Sequence, residues 1–80
     1  MGIRNAVLTR IDTLCKDKRI KLNELANLSG VTPSTVYSMF DEDRSDIGIV
    51  SLKKLCDGLD ISITDFFNDE IFKALEQEIK

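Results

Sequence analysis

Residues 21–40, KLNELANLSGVTPSTVYSMF, contain the pattern that decides the fold. In the first half, Leu25, Ala26 and Leu28 recur at the spacing of one helix face. This spacing predicts a helix over residues 22–29 with those three side chains turned inward. The small alanine on that face leaves room for a second helix to cross closely.

The second half of the stretch begins with residues that end one helix and start another. Gly30 can adopt the left-handed conformation that ends a helix without a steric penalty. Thr32 suits the N-cap, and Pro33 suits the first helical position, where a missing N–H costs nothing. A helix is therefore expected over residues 33–40, and its inward positions are Val36, Met39 and Phe40. Two helices joined by a tight glycine-containing turn form a helix-turn-helix pair.

An apolar stripe before this stretch predicts another helix near the start of the chain. The helix is expected to end at the charged run of residues 17–19. Its inward positions, spaced by three and four, are Ile3, Val7, Ile11, Leu14 and Cys15.

Three more helices are expected after residue 48. Ser51 is the expected cap of a fourth helix, whose inward positions are Leu52, Leu55, Cys56 and Leu59. Ser62 and Asp65 resemble a capping box and open a short fifth helix with Phe66 and Phe67. Asn68 or Asp69 is expected to cap a last helix with the apolar stripe Phe72, Leu75 and Ile79.

These patterns predict an all-α protein of five helices followed by a short C-terminal helix. Pro33 is the only proline, and no strand-like alternation of apolar and polar residues is sustained anywhere. We expect one domain over residues 1–68 and a helical tail over residues 69–80.

The composition argues against several classes of function. The chain has no histidine, and Cys15 and Cys56 lie far apart without a CxxC pattern. Metal sites and histidine-dependent catalysis therefore lose a required residue type, so we expect no metal, no cofactor and no enzymatic activity. Both cysteines are expected to be small buried apolar side chains. The sequence has neither an apolar run long enough for a membrane span nor the pattern of a secretory signal, and we expect a cytoplasmic protein.

The net charge of −3 hides an uneven distribution. Residues 1–21 contain six basic and two acidic side chains, whereas residues 22–80 contain five basic and twelve acidic ones. A basic amino-terminal third is meaningful for nucleic-acid binding only if it shares a face with the residues that read DNA.

Several motifs together resemble the phage repressor/Cro-like (XRE-type) helix-turn-helix family. They are Ile11-x-x-Leu14, NELANLSGVT at 23–32, Ser34-Thr35-Val36, LKKLCDGL at 52–59 and ISITDFF at 61–67. The resemblance spans residues 7–68. It implies a five-helix, lambda-repressor-like domain whose third helix, residues 33–40, enters the major groove. It also implies a homodimer on palindromic double-stranded DNA and a small transcriptional regulator, most simply a repressor.

Carried over by position, the resemblance implies nine DNA-contacting residues. Lys21, Asn23 and Thr32 lie near helix amino termini, where phosphates are favoured. Serine and threonine hydroxyls can bond base edges, and a tyrosine can bond a phosphate. The residues on the outward face of the third helix are Pro33, Ser34, Thr35, Tyr37 and Ser38, and Arg44 is the loop cation expected to reach the backbone or minor groove.

The sequence departs from the family pattern at several of these positions. Leu22 and Pro33 stand where the family often has glutamine, and the reading helix has no Arg, Lys, Asn or Gln. Sequence preference would then depend on hydroxyl and apolar contacts and on DNA shape. The acidic run at residues 41–43 follows that helix, where the family usually has glycine and basic residues. Cys15 and Phe40 replace the Arg–Glu pair that the family commonly forms between helices 1 and 3, which indicates apolar packing instead of a buried ion pair.

Two alternatives remain open at this point. The acidic carboxyl-terminal part and the apolar stripe of the tail are also compatible with a protein-interaction or antitoxin-like module on the same fold. The tail itself either packs on its own core or forms a dimer contact.

Overall fold

Six helical segments follow one another in the computed structural model, which describes residues 1–43 and 46–79. No strand is present in that part of the chain, so the predicted all-helical class is confirmed. The segments are α1 (Ile3–Lys18), α2 (Leu22–Ser29), α3 (Pro33–Met39), α4 (Ile49–Gly58), α5 (Ile63–Phe67) and a C-terminal 3₁₀ helix (Glu70–Ala74).

The ends of the first two helices follow the local signals in the sequence. Arg19 ends α1 in the left-handed conformation, and Gly30 ends α2 in the same way. In each turn the next backbone N–H bonds back into the helix, from Ile20 to the carbonyl of Cys15 and from Val31 to that of Ala26. These bonds satisfy carbonyls that a helix end would otherwise leave free.

The core is a single apolar cluster to which all five α-helices contribute. Its fully buried side chains are Ile11, Leu25, Val36, Leu55, Cys56, Leu59 and Phe66, and Cys15 is 3% exposed. The rings of Phe66, Phe67 and Phe72 pack on one another in edge-to-face and tilted arrangements, which holds the 3₁₀ helix against this core.

Helix α4 packs closely on α2, the first helix of the helix-turn-helix pair. Gly58 in the last turn of α4 lies against Ser29 at the end of α2, and a Cβ on Gly58 would be only 3.0 Å from the Ser29 backbone nitrogen. The glycine therefore allows a crossing that a larger residue would force apart.

Arg10 of α1 holds the carboxyl end of α5 against α1 through hydrogen bonds. Its Nε and Nη2 donate to the carbonyls of Phe66 and Asp65 at 2.9 and 3.1 Å, and its Nη1 pairs with Asp69 at 3.1 Å. Since the last turn of α5 has no basic residue of its own, Arg10 provides the cation that favours a helix carboxyl end.

Two predicted inward positions are wrong. Leu28 is 62% exposed, because the buried face of α2 is centred on Leu25 and Ala26 and Leu28 lies about a third of a turn away from that centre. Ile3 is 38% exposed, because it lies in the first turn of α1 at the edge of the molecule, whereas the next turn buries Ala6 and Leu8.

Two predicted helix boundaries also differ from the structure. Helix α4 begins at Ile49 with Gly48 as its N-cap, so Ser51 lies inside the helix instead of capping it. Asp69 caps the last helix as expected, but the helix ends at Ala74 and Ile79 is 87% exposed. Beyond Ala74 the chain is held differently, since Glu76 bonds Met1 through both its backbone N–H and its carboxylate. These bonds to the amino terminus replace the helical turns that the apolar stripe predicted.

Candidate nucleic-acid interface

The α2–turn–α3 unit has the geometry that the sequence predicted. Gly30 (φ 69°) makes the turn, and Thr32 has extended backbone and caps α3 by accepting from the Thr35 N–H at 3.3 Å. Val36 and Met39 then fix one face of α3 in the core. A helix as short as α3 is not stable alone, so it is this packing that holds the opposite face in one orientation.

The outward positions of α3 are not equally accessible. Pro33 and Ser34 are exposed, and Tyr37 is 51% exposed. Thr35 and Ser38 are only half-buried, because they line a cleft of about 160 Å³ against the start of α4, where Gly48 is also found.

Hydrogen bonds within the protein further separate these side chains. The Thr32 and Thr35 hydroxyls bond each other at 2.9 Å, and the Ser38 hydroxyl donates to the Thr35 carbonyl at 2.8 Å. Ser38 therefore meets a ligand only as an acceptor while that bond is intact. Ser34 and Tyr37 make no such bonds within the described part of the chain, and they remain available as both donors and acceptors.

The predicted contacts outside α3 occupy the start of α2. Lys21 is the N-cap of α2 with extended backbone, and its side chain is exposed and makes no capping bond. Asn23 is exposed in the first turn of the same helix. Arg44, the predicted loop contact, lies outside the described residues.

A further residue, Arg4, contacts the opposite end of α3. Its Nη2 donates to the Met39 carbonyl at 2.9 Å and to the Asp41 carbonyl, and both acceptors lie at the carboxyl end of α3. From the sequence, Arg4 was expected only to contribute to the basic amino-terminal third of the chain. The signal that was missed is a cation in the first turn of α1, which that helix's own dipole disfavours.

Comparison with known proteins identifies the family. The profile of the Cro/C1-type helix-turn-helix DNA-binding domain matches residues 10–70. The chain belongs to the Cro/C1-type helix-turn-helix family. The crystal structure of prophage Lp1 protein 11 is similar, with a TM-score of 0.81, 28% identity, and coverage of 94% of this chain and 100% of that one. No curated protein matches the sequence.

Membership of this family makes the chain a DNA-binding transcription regulator with the five-helix fold. At the two positions where the family commonly has an ion pair, this Cro/C1-type domain has apolar side chains in or against the core. Cys15 is buried, and Phe40 packs on the cluster. The apolar exchange expected from the sequence is therefore present.

The basic residues of this Cro/C1-type domain are less available than their number suggests. Arg4 and Arg10 bond backbone carbonyls, and Lys16 pairs with Asp12 at 2.9 Å. The exposed cations that remain in residues 1–21 are Lys18, Arg19 and Lys21. Immediately after α3, Asp41 and its two acidic neighbours are exposed, and the Asp41 carboxylate accepts from the Asp43 N–H at 3.0 Å.

The remaining candidate groups do not form another site. Residues 1–43 and 46–79 contain no cluster of three side chains suited to a metal ion, and no helix there has the length and apolarity to cross a membrane. Burial raises the pKa of both thiols, and the Asp12 carboxylate raises that of Cys15 further. Raised pKa values make these thiols poor nucleophiles.

Proposed function

We propose that this regulator binds duplex DNA sequence-specifically, with α3 in the major groove, and represses transcription by occupying a promoter. The observation that carries the proposal is the exposed face of α3, whose Ser34 and Tyr37 side chains are free of internal hydrogen bonds within the described residues. A rigid helix with unpaired hydroxyls on one face can bond base edges and sugar-phosphate groups.

Within this proposal the nine predicted residues have unequal roles. Ser34 and Tyr37 read DNA directly. The hydroxyls of Thr35 and Ser38 are engaged within the protein, so Thr35 contributes mainly through its methyl group and Ser38 as an acceptor. Lys21 and Asn23 contact phosphates from the start of α2, and Thr32 and Pro33 shape the start of α3. Arg44 is proposed as a backbone contact.

The dimeric state follows the same proposal. A two-fold homodimer on a palindromic operator would place two copies of α3 about one helical turn of DNA apart. Selection of bound duplexes from a random pool tests both points. Enrichment of a palindrome that persists near physiological salt supports the proposal, and the absence of any enriched sequence contradicts it.

Variants then test the assigned surface. Ser34→Ala and Tyr37→Phe should change the preference among sequences. Lys21→Ala should weaken binding to all duplexes and reduce the salt slope, the steepness with which log affinity falls with log salt concentration, by about one. Thr64→Ala, at an exposed position on α5, is the matched control and should change neither quantity. If the three variants bind like the unaltered chain, α3 is not the reading helix.

A second candidate function is protein interaction on the same fold. It is favoured by Ile49 and Val50, which are 69% and 67% exposed at the start of α4, beside a groove of about 210 Å³ that Ile3 and Ile47 help to line. Exposed apolar groups of this kind often mark contact surfaces. An interaction module would ignore duplex DNA in the selection, and it would retain its partner when Ser34 and Tyr37 are replaced.

A further inference from the structure

We propose that Arg4 is a positioning residue for DNA recognition: by holding the carboxyl end of α3, it sets the orientation in which α3 meets DNA. This inference rests on the proposed reading role of α3. It assigns a DNA-recognition role to a side chain outside the nine expected contacts.

The position of Arg4 in its own helix is unfavourable. Arg4 lies in the first turn of α1, which has no acidic residue, and Gly2 caps that helix without a side-chain bond. A cation near the amino end of a helix is disfavoured by the helix dipole. Arg4 therefore does not stabilise α1 by its position, and its role must come from what it contacts.

Arg4 contacts the backbone at the carboxyl end of α3. The last turn of α3 has no basic residue, and the backbone there leaves carbonyls that need donors. The Arg4 Nη2 donates to one of them, that of Met39, and also to the carbonyl of Asp41, two residues beyond the helix. A guanidinium at this place supplies both hydrogen bonds and the positive charge that a helix carboxyl end favours.

Placing the Arg4 guanidinium at the end of α3 has an unfavourable desolvation energy. The Arg4 Nε is buried and has no hydrogen-bond partner among the residues that the structure describes. Burying an unpaired donor of a charged group is unfavourable. The contact with α3 therefore has to offset this cost, which is expected when one precise arrangement of α1 and α3 matters.

Other contacts also hold α3 in place. Its amino end is fixed by the turn at Gly30 and by the Thr32 cap, Val36 holds its middle, and the buried Met39 side chain is its last apolar anchor. Since α3 has only seven residues and packs chiefly on α2, the bridge from α1 adds the side-chain hydrogen bonds that orient the backbone at its carboxyl end, beside the apolar contacts of Met39 and Phe40. Loss of that bridge lets the helix tilt about its anchored end, which misaligns side chains that must meet base edges together.

Arg10 offers a matched control within the same helix. It caps the carboxyl end of α5 through the same kind of carbonyl bonds, at 2.9 and 3.1 Å, but α5 is not the reading helix. Arg4→Met and Arg10→Met therefore remove equal charge and two carbonyl bonds each, and Arg10→Met also removes the ion pair with Asp69. A merely structural role for Arg4 predicts that both variants behave alike toward DNA.

The experiment measures the affinity of each variant for the duplex enriched by the unaltered chain and for a shuffled duplex of equal composition. Fluorescence anisotropy is recorded over a range of salt, at a temperature where circular dichroism shows each protein folded. We expect Arg4→Met to lower affinity for the enriched duplex about tenfold, a difference of about 1.4 kcal/mol, with affinity for the shuffled duplex nearly unchanged. The salt slope should stay the same, because Arg4 contacts carbonyls and not phosphates.

Arg10→Met should reduce thermal stability but leave both affinities unchanged. Equal loss of affinity in the two variants, or a salt slope reduced by about one in Arg4→Met, would overturn the proposal. If Arg4→Met does not fold, Arg4→Lys decides instead. Lysine keeps the charge but not the planar fork, so a smaller, selective loss of about threefold is expected, and no loss overturns the proposal.

The outcome also separates this inference from the function on which it rests. If the unaltered chain enriches no duplex, the proposed function fails and the role of Arg4 fails with it. If the unaltered chain selects a duplex and Arg4→Met selects it equally well, only the role of Arg4 fails.

Discussion

Gly58 lies in the last turn of α4, where this helix crosses the end of α2. Alanine at a helical position is normally favoured over glycine by about 1 kcal/mol. Here the added Cβ would overlap the Ser29 Oγ and lie 3.0–3.1 Å from the Ser29 backbone. Rotation of the Ser29 hydroxyl relieves only the first contact, so α2 and α4 must also move apart.

We expect Gly58→Ala to lower the free energy of unfolding by about 1–3 kcal/mol, the usual range for overpacking a tight contact. Urea unfolding followed by circular dichroism measures the change. Gly48→Ser is the control, because a Cβ there has an ordinary contact of 3.6 Å with the Ser51 Oγ. Serine is also at least as good an N-cap as glycine. An unchanged or raised stability in Gly58→Ala would show that α2 and α4 are not in close contact at Ser29.

The buried thiols give the folding free energy a dependence on alkaline pH. Burial raises the pKa of Cys15 and Cys56 in the folded state, with Lys53 partly opposing the rise at Cys56. The folded protein therefore keeps protons that the unfolded chain releases above the ordinary thiol pKa of about 8.5. Stability should be flat with respect to these groups below that pH and should fall as pH rises further, through the folded-state values.

The Cys15→Ala/Cys56→Ala double variant isolates this effect. Its smaller side chains lower stability by an amount that does not depend on pH, whereas the decline between about pH 8.5 and pH 10 should be shallower than in the unaltered chain. Urea unfolding at several pH values measures both curves. Parallel curves would show that thiol ionisation does not contribute.

At the scale of the element, α3 is too short to be stable alone and depends on its cap. The Thr32 side chain accepts from the Thr35 N–H, and Pro33 pre-forms the first turn. Thr32→Ala should lower the free energy of unfolding by about 1 kcal/mol. In a domain of this size that loss corresponds to a fall in Tm of about 4–8 °C.

Thr32→Ser retains the capping oxygen and serves as the control for Thr32→Ala. Thermal unfolding of the three proteins should therefore group the serine variant with the unaltered chain. If both variants lose the same stability, the threonine methyl group matters more than the cap.

The predictability of each element depended on how local its determinants are. The turn and start of α3 were predicted correctly because Gly30, Thr32 and Pro33 each act within their own few residues. The predicted burial of Leu28 was wrong because α2 has only eight residues, too few for the sequence pattern to show which edge of its apolar face is buried. The C-terminal helix was too long in the prediction, because the bonds between Met1 and Glu76 join residues at opposite ends of the chain.

The candidate site shows the same division between local and distant determinants. The exposure of Ser34 and Tyr37 was predictable from the helix period, whereas the half-buried state of Thr35 and Ser38 depends on the start of α4. The engagement of Ser38 with the carbonyl three residues earlier is a local habit of serine in helices, which the sequence permits but does not require. The contact from Arg4 to Met39 joins residues 35 positions apart, and no periodic pattern connects them.

At the scale of the whole molecule, charge is the unusual feature of this DNA-binding domain. The net charge is −3, two arginines are engaged with carbonyls, and the exposed acidic side chains of residues 41–43 lie directly after α3. These carboxylates are within about a Debye length of any phosphate that the end of α3 approaches. If α3 meets DNA as proposed, we expect these carboxylates to lower affinity for every duplex without distinguishing one sequence from another.

Asp41→Asn/Asp43→Asn tests this balance. The side-chain oxygen of asparagine at position 41 can still accept from the backbone N–H of residue 43, so the loop geometry should survive. We expect affinity to rise about three- to tenfold at low salt, equally for the enriched and shuffled duplexes, and the gain to shrink as salt is added.

Asp57→Asn/Glu70→Gln provides the matched control, since it changes the net charge by the same amount. Both residues are exposed, and they lie at the far end of α4 and on the 3₁₀ helix, each paired with a lysine. A gain confined to the loop variant would show that the carboxylates act locally on DNA bound at α3. Equal gains in the two variants would show instead that only the net charge matters. A gain for the enriched duplex alone would mean that the loop takes part in reading sequence, because a charge acting on phosphates cannot distinguish two duplexes of equal composition.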